Sequence, residues 1–242
     1  SATLATRMAV TNGGVVIVGA STTALVATAS VTPSLQVIGT AASSSRFGFF
    51  RFSADGSGPN FNCMKSRNAS AGSHTALNSG DTTCILEAGG SDGTQFITST
   101  QIQSTVDGAV STNIVPGKLT FKTTDTAGVS QSRMALDAAG HLSFSGTAPA
   151  VTTGAADCGT SPTILGNDNT GTVTVGSSTN GGKCTLTFAT AWATAPHCVA
   201  NNVTSVSRMI TALSTSTTTL VLQALTTLTA ADKLSYVCHG SY

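Results

Sequence analysis

Apolar and polar residues alternate over short stretches of this chain, and turn residues separate the stretches. In the second half the alternation is regular, with Val173 and Val175 set between threonines. A period of two places one face of a β-strand on a core and the other in water. No stretch keeps the 3.6-residue period of an amphipathic helix. The pattern therefore predicts an all-β fold.

The predicted strands are rich in Val, Ile, Thr and Phe, whose branched or aromatic side chains suit a pleated surface. Turns are predicted at pairs such as Asn12-Gly13 and Asp92-Gly93, because Asn, Asp and Gly tolerate the positive φ angles of tight turns. The strands are predicted at residues 15–18, 35–38, 47–52, 95–97, 118–123, 134–136, 171–175, 183–188, 197–200, 208–213, 218–222 and 233–238.

A change of composition near residue 150 divides the chain. Residues 145–154 are small and include one proline, which is the composition of a linker. The strands that follow are regular and closely spaced, which is typical of a compact β-sandwich. We therefore expect a short repeat segment at 1–21, a first β module at 22–150 and an antiparallel β-sandwich at 151–242.

One sequence echo occurs in the segment 1–21 and again near the end of the first module. RMAVTNGG at 7–14 and RMALDAAG at 133–140 begin 126 positions apart and share a strand-turn pattern. A unit used twice along a filament would produce such an echo, since stacked copies lengthen a shaft and bury each other's ends. Chance similarity is the alternative interpretation.

The charge content limits what the chain can bind. Charged residues make up 9% of the chain and hydrophobic residues 40%, and the net charge is +1. Binding to a phosphate backbone requires clustered Lys and Arg, so nucleic acid is not expected as a partner. The most apolar run, residues 13–20, is far shorter than the roughly 18 residues of a spanning helix. No membrane insertion is expected.

The residues that enzymes need are sparse in this sequence. Glycan hydrolysis uses two carboxylates within roughly 5 to 10 Å of each other. The chain has one Glu, and most of its nine Asp lie in turn contexts. No G-x-S-x-G nucleophile elbow lies between a strand and a helix. The histidines do not have the local spacing of a metal site; they are His74, His141, His197 and His239. From these observations together we expect no enzymatic activity, no cofactor and no metal.

The six cysteines include no C-x-x-C pair, which disfavours a zinc ribbon or a redox motif. In the last domain Cys158 with Cys184 and Cys198 with Cys238 are the favoured bridges, since each pair lies near strand ends. Free buried thiols are the alternative, because a protein assembled in a reducing cytosol keeps its cysteines reduced.

Candidate binding groups lie in loops of the predicted sandwich. Trp192 is surrounded by small residues that would leave its ring open to the apolar face of a sugar, and a position in the core is the alternative. The other candidates have amide or carboxylate groups that can hydrogen-bond hydroxyls or simply form turns. They are Asn167, Asp168, Asn169, Asn201 and Asn202.

Two parts of the chain resemble parts of bacteriophage tail fibres and tailspikes. Residues 64–142 resemble a recurring module through an ordered set of pieces: MKSRN at 64–68, LNSGD at 77–81, GSDGTQF at 90–96, QIQSTVDG at 101–108, VPGKLTFKTT at 115–124 and RMALDAAG at 133–140. Residues 155–242 resemble a tip domain of such proteins through CG at 158–159, GTVTVG at 171–176, CTLTF at 184–188, APHC at 195–198 and YVC at 236–238.

The resemblance implies a homotrimer in which each chain contributes strands to a shared β core. Residues 1–21 would then be a shaft repeat segment, 22–150 a trimeric intertwined β shaft or collar module, and 151–242 a β-sandwich tip domain. The implied function is adhesion to a bacterial surface glycan or outer-membrane component, with upstream tail or baseplate proteins as further partners. The implied location is the virion, after assembly in the host cytoplasm. A structural whisker, collar or decoration fibre is the alternative.

Overall fold

The computed structural model describes residues 8–19, 25, 32–41, 45–179 and 181–240. Every regular element among them is a β-strand, so the predicted all-β fold is confirmed. Within these residues, no helix has the length and apolar character needed to cross a membrane. The strands, in chain order, are β1 (Met8–Val10), β2 (Val16–Gly19), β3 (Leu35–Ile38), β4 (Thr82–Ser91), β5 (Phe96–Val106), β6 (Gly117–Thr124), β7 (Ser130–Leu136), β8 (Leu142–Phe144), β9 (Ala150–Val151), β10 (Thr163–Gly166), β11 (Thr170–Thr174), β12 (Lys183–Thr187), β13 (His197–Asn202), β14 (Ile210–Thr215), β15 (Thr219–Ala224) and β16 (Lys233–His239).

The chain divides into two compact units, which we call unit 1 (Ser1–Gln131 and Asp137–Gly140) and unit 2 (Ser132–Leu136 and His141–Tyr242). In unit 1, β1 and β2 form an antiparallel hairpin, and β3 joins β2 in parallel. Also in unit 1, β4, β5 and β6 form an antiparallel meander.

The hairpin formed by β4 and β5 is longer than the sequence predicts. Only residues 95–97 were expected to form a strand here, yet the two strands contain 10 and 11 residues. Gly89 and Gly90 weaken the strand signal of β4, and its pairing with β5 compensates for them. The turn lies at the predicted Asp92-Gly93, where the Asp92 carboxylate accepts two backbone hydrogen bonds of 2.7 and 2.8 Å.

Residues 45–81 form no strand, and the strand predicted at 47–52 is wrong. Its phenylalanines have a high strand propensity, but propensity alone does not supply a pairing partner. The Cys63–Cys84 disulfide, with Cα atoms 5.6 Å apart, ties this segment to β4. Nearby, a bidentate ion pair of 2.6 and 2.8 Å joins Arg67 to Asp81. Covalent and ionic links thus hold a segment that has no sheet of its own.

Unit 2 contains two four-stranded antiparallel sheets, with strand orders β10-β11-β16-β13 and β14-β15-β12-β9. Burial alternates along β15, so every second side chain points away from solvent. Residues of both sheets form one hydrophobic cluster, the arrangement of a β-sandwich. Its most buried members, none more than 1% exposed, include Val173, Leu186, Leu220, Leu222, Leu234 and Tyr236.

Two disulfides lie in unit 2, at the core or against it. Cys158 is bonded to Cys184 of β12, and Cys198 of β13 is bonded to Cys238 of β16. The second bridge joins residues directly opposite each other on neighbouring strands, with Cα atoms 4.1 Å apart. These are the two bridges that the sequence analysis weighed against free thiols.

Candidate binding surface

The near end of the sandwich is the end at which the chain enters. The Nδ2 group of Asn167 donates a hydrogen bond of 2.7 Å to the backbone oxygen of Phe144, shortly before β9 begins. Loops 167–169 and 188–196 meet at this end, because the Asp168 carboxylate accepts two backbone hydrogen bonds from the second loop, at 2.8 and 2.9 Å. Several of the sequence-predicted binding residues therefore lie beside the point of entry.

Hydrogen bonds within the sandwich engage the polar groups of the near end. Asn167 is buried, and its side-chain oxygen accepts hydrogen bonds from the backbone N–H groups of Asn169 and Thr170, at 2.9 and 3.2 Å. Its backbone oxygen accepts a 2.7 Å hydrogen bond from the phenol of Tyr236. Gly171 makes room for this phenol, since a Cβ there would lie 2.6 Å from the phenol oxygen. The loop is thus built as a turn that closes the sandwich.

Trp192 lies at the edge of the core. Its ring meets that of Phe188 edge-on, with ring centroids 6.0 Å apart, and packs against the hydrophobic cluster. Its backbone N–H donates to the oxygen of Thr217 at 2.8 Å. The indole Nε1 is buried and has no hydrogen-bond partner among the described residues. This packing leaves only part of the ring surface accessible to a ligand such as a sugar.

The far end of the sandwich is formed by loops 203–209 and 225–232. β13 leaves the near end and finishes at Asn202, so the first of these loops lies at the opposite end. The two loops adjoin, since the backbone N–H of Leu225 donates to the oxygen of Met209 at 3.1 Å. The side-chain oxygen of Asn202 accepts two backbone hydrogen bonds from the first loop, at 2.9 and 3.1 Å. This amide oxygen therefore shapes the loop.

The predicted binding residues do not form one site. Asn201 is exposed on β13, beside the far end, and its neighbour Asn202 is buried with an Nδ2 group that has no partner among the described residues. The other four candidates lie at the near end, on the opposite side of the core. Those four are Asn167, Asp168, Asn169 and Trp192.

The far-end loops expose large apolar side chains that the sequence did not single out. Val206 is 92% exposed and Leu225 is 79% exposed. Single exposed apolar residues are ordinary, whereas a cluster bordered by polar groups marks an interaction site. The sequence signal that could have identified them is the spacing by three of Val203, Val206 and Met209, in a segment that forms no strand. We call this set the far-end patch: Val203, Val206, Met209 and Leu225.

An ion pair anchors the far-end patch. The guanidinium of Arg208 donates two hydrogen bonds, both 2.7 Å long, to the two carboxylate oxygens of buried Asp232. The backbone N–H of Thr229 donates to the same carboxylate at 2.9 Å. The Arg208 hydrogen bonds, more than opposing desolvation, hold the pKa of Asp232 below its ordinary value. Loop 203–209 is thus fastened to loop 225–232 by a carboxylate that stays charged at neutral pH.

Acid is expected to weaken this anchor. In the unfolded chain Asp232 titrates near the ordinary value of about 3.9, and in the folded chain its pKa is lower. The stability it supplies is therefore complete above the unfolded pKa and is lost as pH falls through the folded pKa. We expect Asp232→Asn to lower the thermal midpoint of unit 2 at neutral pH and to flatten its decline in acid. Fluorescence of Trp192, the single Trp of the chain, reports both; identical pH profiles would contradict the anchor.

Carboxylates elsewhere in unit 2 also hold loops in place. Asp157 accepts hydrogen bonds from the backbone N–H and the hydroxyl of Thr185, at 2.7 and 2.9 Å.

In the part of the chain that the structure describes, no three His, Cys, Asp or Glu side chains are grouped so as to hold a metal ion. In comparisons with known proteins, no family profile and no curated protein matches this chain.

Proposed function

We propose that this chain is the distal part of a bacteriophage tail fibre, a homotrimer that adheres to a bacterial surface and catalyses no reaction. The observation that supports it most is the apolar surface that a single copy leaves uncovered in unit 1. A soluble monomer rarely exposes apolar patches beyond a few hundred Å². In a fibre, two further copies of the chain cover such surface and protect the strand edges from aggregation.

Aromatic side chains make up one part of this uncovered surface. Phe50 and Phe52, in the strand-free segment, are 85% and 95% exposed. Phe47 and Phe49 are also exposed and contact each other edge to face, with ring centroids 4.7 Å apart. Burying one such side chain contributes about 1.5–3 kcal/mol. A segment that exposes several of them gains more by association than by remaining alone in water.

The meander provides a second part. Leu86, Ile102 and Phe121 stand in one row across β4, β5 and β6, and the first two are exposed. Residues in one row project to the same face of a sheet. The adjacent row projects to the opposite face and is polar: Glu87, Gln101 and Lys122. The meander belongs to the five-stranded sheet β4-β5-β6-β7-β8. A sheet with one apolar face requires a cover, and we propose that the other copies provide it.

The far-end patch is the proposed contact with the bacterium. It lies away from the point where the chain enters the sandwich, which is where a terminal attachment surface is needed. Three copies would present three patches, and weak contacts then add because the second and third become intramolecular. The proposed receptor is a surface glycan or an outer-membrane component, and the fibre joins upstream tail or baseplate proteins. Disulfides persist in the oxidising surroundings that a virion meets outside the host.

A competition experiment tests the adhesive role. Purified trimer is expected to block adsorption of the virus that carries this fibre. Val206→Asp places a charge in the far-end patch and is expected to abolish the block. The matched control is Leu165→Asp, which adds the same charge at an exposed position of β10 outside the patch and should leave the block intact. A trimer that neither adsorbs nor competes would contradict adhesion and favour a structural fibre.

A further inference from the structure

The sequence echo at residues 7–14 and 133–140 begins a hairpin in both places. In the first hairpin β1 pairs with β2, and Met8 lies opposite Val18 while Val10 lies opposite Val16. Gly14 closes the turn with a φ of 79°, a left-handed conformation that suits glycine. Its N–H donates to the backbone oxygen three residues earlier, at 2.9 Å.

The second hairpin repeats the first pair by pair. Met134 lies opposite Phe144 and Leu136 lies opposite Leu142, so each pair has the same spacing along the chain as its counterpart in β1 and β2. Gly140 closes the turn with a φ of 87°, and its N–H donates to the backbone oxygen three residues earlier at 3.0 Å. The echo therefore covers both strands of each hairpin, beyond the residues that are similar in sequence.

Each hairpin exposes one apolar face, because opposite residues, and residues two apart on a strand, project to the same side. On the other side of the first hairpin Ala9 lies opposite Ile17, which is buried. Val10 is 64% exposed on the first face and Leu142 is 56% exposed on the second. Neither face contains a charged residue. We call them hairpin face 1, which comprises Met8, Val10, Val16 and Val18, and hairpin face 2, which comprises Met134, Leu136, Leu142 and Phe144.

We propose that hairpin faces 1 and 2 are contacts between copies of this chain that run in parallel and in register. This inference rests on the homotrimer proposed above and assigns the surfaces that hold it together. The two like faces begin 126 positions apart in the sequence, and an aligned copy presents the same two faces in the same order, so face 1 meets face 1 and face 2 meets face 2. A rotation axis brings identical residues together, and any charge there would meet a like charge. A surface at such an axis is therefore expected to lack charged residues, and both hairpin faces lack them.

Photo-cross-linking of the full chain tests the assignment. A p-benzoylphenylalanine in place of Phe144 keeps an aromatic side chain on hairpin face 2. The matched control places the same residue at Ser143, which is exposed and projects to the other side of β8. Tagged and untagged chains are coexpressed, so that a product carrying both tags is a bond between copies. We expect this product from position 144 and only background from position 143. Equal yields, or bonds within one chain alone, would overturn the proposal.

Sedimentation separates the failure of this inference from the failure of the homotrimer. We expect the unaltered chain and Ser143→Asp to sediment at three times the chain mass of 24.1 kDa. Leu142→Asp and Val10→Asp, with one charge in each face, should shift toward the mass of a single chain. An unaltered chain that sediments alone would remove the proposed fibre. A trimer that both face variants leave intact, without a 144 cross-link, would remove only the assignment of the faces.

Discussion

Replacing Leu222 by Ala is expected to destabilise unit 2 by about 3 to 4 kcal/mol. The side chain is fully buried between the two sheets, within the cluster that contains residues of both. Truncation removes its contacts and leaves a cavity that rigid strands cannot close. Denaturant unfolding followed by the fluorescence of Trp192 measures the change, because this indole packs against the same cluster.

The neighbouring residue on β15 supplies the control. Val221 is only half-buried, since it projects to the outer face of its sheet. Val221→Ala is therefore expected to lower the free energy of unfolding by about 1 kcal/mol or less. Losses of similar size at the two positions would mean that the face of β15 is assigned wrongly.

Removing the Cys198–Cys238 bridge is expected to lower the free energy of unfolding by about 3 to 4 kcal/mol. The two residues are separated by 40 positions, and closing a loop of that length restricts the unfolded chain. The variant carries Cys198→Ala and Cys238→Ala together, so that no thiol is left unpaired. The decrease in the denaturant midpoint of unfolding, followed by the fluorescence of Trp192, measures the effect.

Two control experiments accompany this prediction. Alkylation of the denatured, unreduced chain should label none of the six cysteines, and labelling of all six would contradict the bridges. The pair Cys63→Ala with Cys84→Ala removes a bridge of unit 1. It should leave the midpoint of unit 2 unchanged, which a general effect of losing cysteines would not.

The sandwich was predictable because its strands bury alternate residues. The strand predicted at 218–222 corresponds to β15, where Leu220 and Leu222 point inward. The same reasoning failed at residues 47–52, since strand propensity identifies a side chain that fits a sheet but does not identify its neighbour. β4 was missed for the converse reason. Its glycines give a weak local signal, and the long pairing with β5 supplies the missing stability.

The candidate site was less predictable than the fold. The exposure of a loop residue depends on which strands its loop connects. A local sequence pattern does not show which strands those are. Asn167 and Asp168 have the composition of ligand-binding residues, yet their side chains accept or donate hydrogen bonds that close the near end. The far-end patch has apolar composition and therefore resembled strand or core in the sequence. Met209 was even assigned to a strand, and β14 begins one residue later.

Loop 203–209 contributes no side chain to the hydrophobic cluster of the sandwich, and Arg208 is its anchor to the loop beside it. The hydroxyl of Thr204 also accepts a hydrogen bond from the backbone N–H of Lys233, at 2.8 Å. The exposed apolar positions Val203, Val206 and Met209 can therefore diversify at little cost to folding. In the proposed fibre, this surface is then replaceable step by step while the scaffold stays constant. The same freedom makes the loop the place to graft foreign recognition sequences if the proposed adhesive role is to be redirected to a different bacterium.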